Sequence, residues 1–287
     1  MKKIGFIDYY IDEWHANNYP IWIKESSLGS EFEVSYAYEM IHPEGKTHID
    51  EWCKNFGVQK CDTIEELVEK SDCIIVLSPD NSEMHEELSQ IPLKSGKPTY
   101  IDKTFAPSYK EAKRIIDLAV SNNTPMYSTS ALRFADQIVN MDSEKFNRDT
   151  IDFVSTRGSG VLHIYVIHQV EMVVRLMGVG AKSVTNIGTK AAPVFSIAYK
   201  DGRKAVINMT KFAPYSFMVQ NKDETGFVCD GVTRHFENFI EAMLKFFNTG
   251  KSPVPFEETL ECMALIEACC KVYDMPEYST INLDDCK

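Results

Sequence analysis

Ser71-Asp72-Cys73-Ile74-Ile75-Val76-Leu77-Ser78-Pro79 is the stretch on which the architecture turns. Its apolar run, Cys73 to Leu77, ends at Ser78-Pro79 and reads as a fully buried strand, the kind found in a parallel sheet covered on both faces. Before it, IEELVEKS (residues 64–71) is an acidic amphipathic helix, and after it SEMHEELSQIPLKSG (82–96) reads as another.

Working outward, KIGFID (3–8) and EVSYAY (33–38) are β-rich runs on either side of a helical HANNYPIWIKE (15–25), which makes a βαβ unit. Toward the C-terminus come a strand at 98–101, a strong helix at 108–123 with apolar residues at 112, 115, 116 and 119, and a strand at 125–131. This alternation through about residue 130 is the pattern of a doubly wound parallel sheet. The remainder changes character. β-rich runs lie near 150–157, 183–189, 194–200, 203–210 and 215–221, with an Asp201-Gly202 hairpin turn. One helix near 164–178 interrupts them, and two more, 232–248 and 257–273, follow. An α+β domain on a mostly antiparallel open sheet is expected, with domains at 1–130 and 131–287.

At 287 residues, two domains are the natural expectation. Hydrophobic content of 44% and charged content of 25% describe a folded chain. A net charge of −12 without a basic run argues against nucleic-acid and anionic-membrane partners. The N-terminus MKKIGFIDYY has no signal-peptide pattern, so a cytoplasmic location is expected. The eight cysteines form no Cys-x-x-Cys framework and read as reduced thiols, with one of Cys269 and Cys270 buried and inert.

Three segments carry a resemblance. Residues 71–79, then His85, then Gly96-Lys97-Pro98 through Asp102-Lys103-Thr104 form the first. His168-Gln169-Val170-Glu171 with Leu176-Met177-Gly178 is the second, and Gly250-Lys251-Ser252-Pro253 through Glu257-Glu258 to Ile266-Glu267-Ala268 the third. In this order and spacing they resemble the Gfo/Idh/MocA family of sugar and inositol dehydrogenases. The resemblance implies an α/β N-terminal Rossmann-like domain crossed by NAD or NADP, and a C-terminal domain for substrate and homo-oligomer contacts. It also implies that Lys103 and His168 meet the substrate.

Lys103, just past a strand, suits donation to a substrate oxygen as charge develops. His168 suits proton transfer, and Glu171, one helical turn on, could orient it. A structural pair or a His-x-x-Glu metal half-site are the other readings of that spacing, and no metal is expected because further ligands are not in sight. Arg133 and Tyr165 are candidate substrate contacts, together with the Ser128-Thr129-Ser130 run. His85 reads as a packing or cofactor-edge residue, and His163 as structural.

The sequence departs from the family at the phosphate loop. Where Gly-x-Gly-x-x-Gly should follow the first strand, this chain has Asp8, Tyr10 and Glu13. A unit charge about 4 Å from a phosphate costs about 4 kcal/mol at an effective dielectric near 20. The remaining cofactor-side candidates are Asp8, Tyr10, Glu39 as ribose anchor, Ser78, Pro79 and Asp102. His15 reads as a solvated loop residue. Ile164 stands where the family has an aspartate partner for the histidine. The leading expectation is nicotinamide-dependent oxidation of a sugar, inositol or related polyol. The alternatives are a noncatalytic or regulatory small-ligand binder without NAD(P), or a lyase or isomerase using Lys103 and His168.

Overall fold

The structure, a computed structural model, describes residues 1–275 and 279–287. It divides into two compact units. The first comprises Met1–Pro107, Glu111–Thr129 and Phe239–Pro255, and the second Ser108–Lys110, Ser130–Asn238 and Phe256–Lys287.

Along the first part of the chain run β1 (Lys2–Asp8), α1 (Trp14–Glu25), β2 (Phe32–Glu39), α2 (Ile49–Phe56), β3 (Gln59–Lys60), α3 (Ile64–Lys70) and β4 (Cys73–Val76). Then come α4 (His85–Leu88), α5 (Gln90–Lys94), β5 (Thr99–Ile101), α6 (Tyr109–Ser121) and β6 (Met126–Tyr127). The strands form one sheet in the order β3-β2-β1-β4-β5-β6, every pair parallel. Its middle is dry. Ile4, Phe6 and Ile7 of β1 and Ile74, Ile75 and Val76 of β4 are all fully buried, each contributing roughly 1.5–3 kcal/mol of hydrophobic stabilisation. Gly5 sits tightly, because a Cβ there would overlap the Leu67 and Ser71 side chains, which would have to shift. The helix expected over 82–96 is instead a 3-10 turn followed by α4 and α5, broken at Ser89. Pro92 lacks the N–H needed to carry one helix through and is tolerated only in the first turn of a new one.

The strand order reverses between β1 and β4, which creates a crevice at their carboxyl ends. Asp8 ends β1 there, and Ser78 follows β4.

The rest of the chain contains α7 (Asp136–Val139), β7 (Ile151–Ser159), α8 (Leu162–Met177), β8 (Ala181–Asn186), β9 (Val194–Tyr199), β10 (Lys204–Thr210), β11 (Ser216–Asn221) and β12 (Gly226–Cys229). It continues with α9 (His235–Thr249), α10 (Phe256–Asp274) and β13 (Thr280–Asn282). The second sheet runs β12-β11-β7-β10-β9-β8-β13. Among the described residues β7 and β10 pair in parallel and the other pairs are antiparallel. The turn at Asp201-Gly202 joins β9 to β10, with Gly202 at φ 95°. α8 and α10 supply long buried faces to this unit. The C-terminal part of α9 belongs to the first unit, where Phe239 packs on Tyr100 (5.3 Å between ring centres) and Phe246 on Tyr127 (4.8 Å). Among the described residues no helix is long and apolar enough to cross a membrane.

Candidate functional site

In the first unit the β1–α1 loop is built from acids. Asp8 is fully buried, and its Oδ1 accepts a 2.8 Å hydrogen bond from Ser78 Oγ, which itself accepts from the Tyr9 N–H at 2.9 Å. Those bonds hold Ser78 at φ 74°, a left-handed backbone that a non-glycine residue adopts at a cost. Among the described residues Asp8 Oδ2 has no hydrogen-bond partner. Burial first, then the nearby Glu13 carboxylate, pushes the Asp8 carboxyl well above its ordinary range.

Glu13 is the N-cap of α1. Its Oε2 accepts from the His15 N–H at 2.7 Å and its Oε1 from the Ala16 N–H, so one carboxylate satisfies two of the helix's open amides. Burial pushes its pKa up to about 7, against the pull of His15 and these amides. The loop is braced from outside. Asp12 accepts from Asn17 Nδ2 (2.9 Å) and the Thr47 N–H (2.8 Å), and Asn17 Oδ1 accepts from Trp52 Nε1 (2.7 Å). Glu39, at the end of β2, accepts from the Ile11 N–H at 3.2 Å. Tyr10 is half-buried under the Lys46 ammonium, 5.0 Å from its ring centre.

The expectation for His15 is corrected. It is buried on α1, its Nδ1 against Asp102 Oδ2 and 3.3 Å from Tyr19 Oη, with the Tyr19 ring stacked at 5.0 Å. Helical phase turns the ring onto the sheet, which the sequence register did not reveal. Asp102, just past β5, is fully buried, and its Oδ1 accepts from Tyr100 Oη (3.0 Å) and the Lys103 N–H (2.8 Å). Burial alone would raise its pKa, but His15 and Lys103 outweigh it and bring it down to about 2. Lys103 is half-buried, and its Nζ donates to the Pro79 carbonyl at 3.3 Å. His85 is fully enclosed, its ring nitrogens 3.0 Å from Phe105 O and 2.6 Å from Leu77 O.

In the second unit His168 is half-buried on α8, and its Nδ1 shares a 2.7 Å hydrogen bond with Ser130 Oγ. The rings of Tyr165 and Tyr215 lie 5.7 and 5.5 Å from it. Glu171 accepts from the Ser130 N–H at 3.3 Å and from Arg133 at 2.9 Å. Arg133 is buried and also pairs with Glu258, which meets Arg148 at 2.7 Å. Arg133 is thus the cation of a carboxylate clasp beneath α8, while Tyr165 is half-exposed and fits where Gly160 leaves room for its ring. His163 pairs with Asp274 at 2.8 Å. Among the described residues no group of three or more His, Cys, Asp or Glu is arranged to hold a metal ion. Asp12, Glu13, Asn17 and Ser130 were not singled out from the sequence for these bonds. An acid directly before a helical run is a capping signal that would have found Glu13.

Residues 30–129 match the model of the Gfo/Idh/MocA oxidoreductase family, NAD-binding Rossmann fold. No curated protein matches the sequence. Among solved structures, a probable dehydrogenase from Thermotoga maritima superposes with a TM-score of 0.79 at 15% identity, over 99% of this chain and 100% of that one. The apo scyllo-inositol dehydrogenase from Lactobacillus casei gives 0.78 at 12%, over 99% and 98%. GenD2 from gentamicin A biosynthesis, in complex with NAD, gives 0.76 at 11%, over 98% and 97%. At these identities the likeness is one of fold.

The family match starts after the β1–α1 loop, and the residues of that loop do not fit a dinucleotide. A pyrophosphate needs open amides at a helix N-terminus and no neighbouring negative charge. Here the His15 and Ala16 amides of α1 are engaged by Glu13, with Asp8 and Asp102 close by. By its matched segment and by the fold of its whole length, the chain nonetheless bears out the resemblance read from the sequence, to the Gfo/Idh/MocA oxidoreductase family.

Proposed function

We propose that the chain acts on a sugar, inositol or related polyol by moving a proton at His168. The observation that carries this reading is the Ser130–His168 bond of 2.7 Å. Ser130 is buried and tied through its N–H to Glu171, so the imidazole is held at Nδ1 on α8 in an arrangement that supports a role in proton transfer. The fold likeness to scyllo-inositol dehydrogenase supports the substrate class. On a keto form of such a substrate, a base in that position would take the proton from the carbon beside the carbonyl while the electron pair moves onto the carbonyl oxygen as an enediol, and return of the proton to the neighbouring carbon is isomerase chemistry. In the first unit we assign Lys103 as a donor to a ligand oxygen, and to the second unit we assign self-association through the outer face of its sheet.

The test is incubation with keto-inositol and 2-keto-sugar substrates in heavy water, following deuterium entry at the carbon beside the carbonyl by NMR. Incorporation that disappears in His168→Ala supports the reading, and incorporation equal in the two proteins overturns it. Nicotinamide-dependent oxidation of the same polyols is the second reading, favoured by the match of residues 30–129. Reduction of NAD or NADP by a polyol, followed at the nicotinamide absorbance, would place it first.

A further inference from the structure

We propose that the Glu13 carboxyl group stands in the seat where this fold otherwise receives a dinucleotide's pyrophosphate, so that the α1 N-terminus is closed to NAD(P) and opens only when that side chain is removed. Three observations converge on it. The first is positional: Glu13 follows β1 at the switch point of the parallel sheet, where the helix N-terminus faces the crevice. The second is geometric. Both Glu13 carboxylate oxygens are engaged, one by the His15 N–H at 2.7 Å and one by the Ala16 N–H, and the side chain is only 7% exposed. Amides that would meet two phosphate oxygens meet two carboxylate oxygens instead.

The third observation is the bracing. Asp12 joins the loop to Asn17 and Thr47, and Glu39 holds the Ile11 amide, so the residue that serves as ribose anchor in the resemblance is turned toward the loop itself. The groups facing Glu13 are Asp8 from β1, His15 on α1 and Asp102 past β5. Asp102, held down to about 2, keeps its negative charge there, so an incoming phosphate would meet its repulsion as well as occupied donors. Burial raises the Glu13 pKa toward neutrality, which fits a carboxylate enclosed by the chain rather than one turned to solvent.

The proposal concerns the first unit and does not depend on the role given to His168. The experiment compares the intact protein with Glu13→Gly, which opens the amides, and Glu13→Gln, which keeps an oxygen on them. Inorganic pyrophosphate and NADH are the probes, read by calorimetry and by the His15 and Ala16 amide resonances in nitrogen-15 NMR. The expected result is no shift of those amides in the intact protein or in Glu13→Gln at millimolar probe, and pyrophosphate binding at least about tenfold tighter in Glu13→Gly. Displacement of the two amides in the intact protein by micromolar NADH overturns the proposal, as does a folded Glu13→Gly that gains no pyrophosphate binding. Should Glu13→Gly fail to fold, the intact protein still decides. The two amides must follow the Glu13 titration, and amides indifferent to it refute the cap.

Discussion

Each unit buries a cluster of carboxylates, and the two clusters are neutralised in opposite ways. In the second unit, Glu171 and Glu258 share the buried Arg133, and Glu258 adds Arg148. In the first, Asp8, Glu13 and Asp102 lie close enough to perturb one another, with His15 between Glu13 and Asp102. The consequence is visible in their proton affinities. Asp102, next to His15 and Lys103, is held down to about 2, while Glu13 rises to about 7 and Asp8 well above its usual range. Buried acids with a fixed cation act as a structural clasp. Buried acids without one hold protons, and at a switch point they shape what the crevice accepts.

The sharpest way to break this contrast is Arg133→Met. It leaves Glu171 and Glu258 buried without their shared cation and is expected to cost about 3–5 kcal/mol, read by urea unfolding. A loss below about 1 kcal/mol would mean that the clasp is not what holds α8 in place. The next effect belongs to the other cluster. Because the Glu13 pKa is raised on folding, from 4.5 to about 7, its contribution is full below pH 4.5 and is lost as pH rises through about 7. The intact protein should therefore lose about 3 kcal/mol of stability across that window, and Glu13→Gln should flatten the slope. An unchanged slope in the variant would assign the titration to another group.

Asp102 runs with the opposite sign. Its pKa falls from 3.8 to about 2, so its contribution is present above pH 3.8 and disappears as pH drops through about 2. Asp102→Asn should cost about 2 kcal/mol at pH 7, the scale of hydrogen bonds to a charged group, and the gap between variant and parent should close in strong acid. The smallest change in stability is expected from Ser130→Ala, about 1 kcal/mol. There the informative reading is deuterium incorporation, which should fall by more than the stability change accounts for if Ser130 orients His168. Equal incorporation would leave Ser130 a purely structural partner.

Much of the fold was legible because burial on two faces leaves a strong mark. Ile74, Ile75 and Val76 are apolar in succession, and the alternation in β9 and β10 follows one buried face. Short or polar elements escaped for the converse reason. β3 is two exposed residues and β12 is four residues of which only Cys229 is buried, so neither carries a hydrophobic period. The break in the helix over 82–96 was announced by Pro92, which the periodic reading passed over.

Residue types along the chain determined the parallel sheet, the antiparallel one, and the loss of glycine at Asp8, Tyr10 and Glu13. Only the folded backbone decided what those acids do. A carboxylate one residue before a helix is, in sequence, a repulsive charge near a phosphate. In three dimensions its two oxygens reach the His15 and Ala16 amides, and the same residue becomes the ligand of the site it was read as spoiling. The same holds for His15, whose neighbours in sequence suggest solvent. Its partner Asp102 follows β5, two strands from β1 in the sheet and 87 positions away along the chain, a pairing that only the strand order brings together.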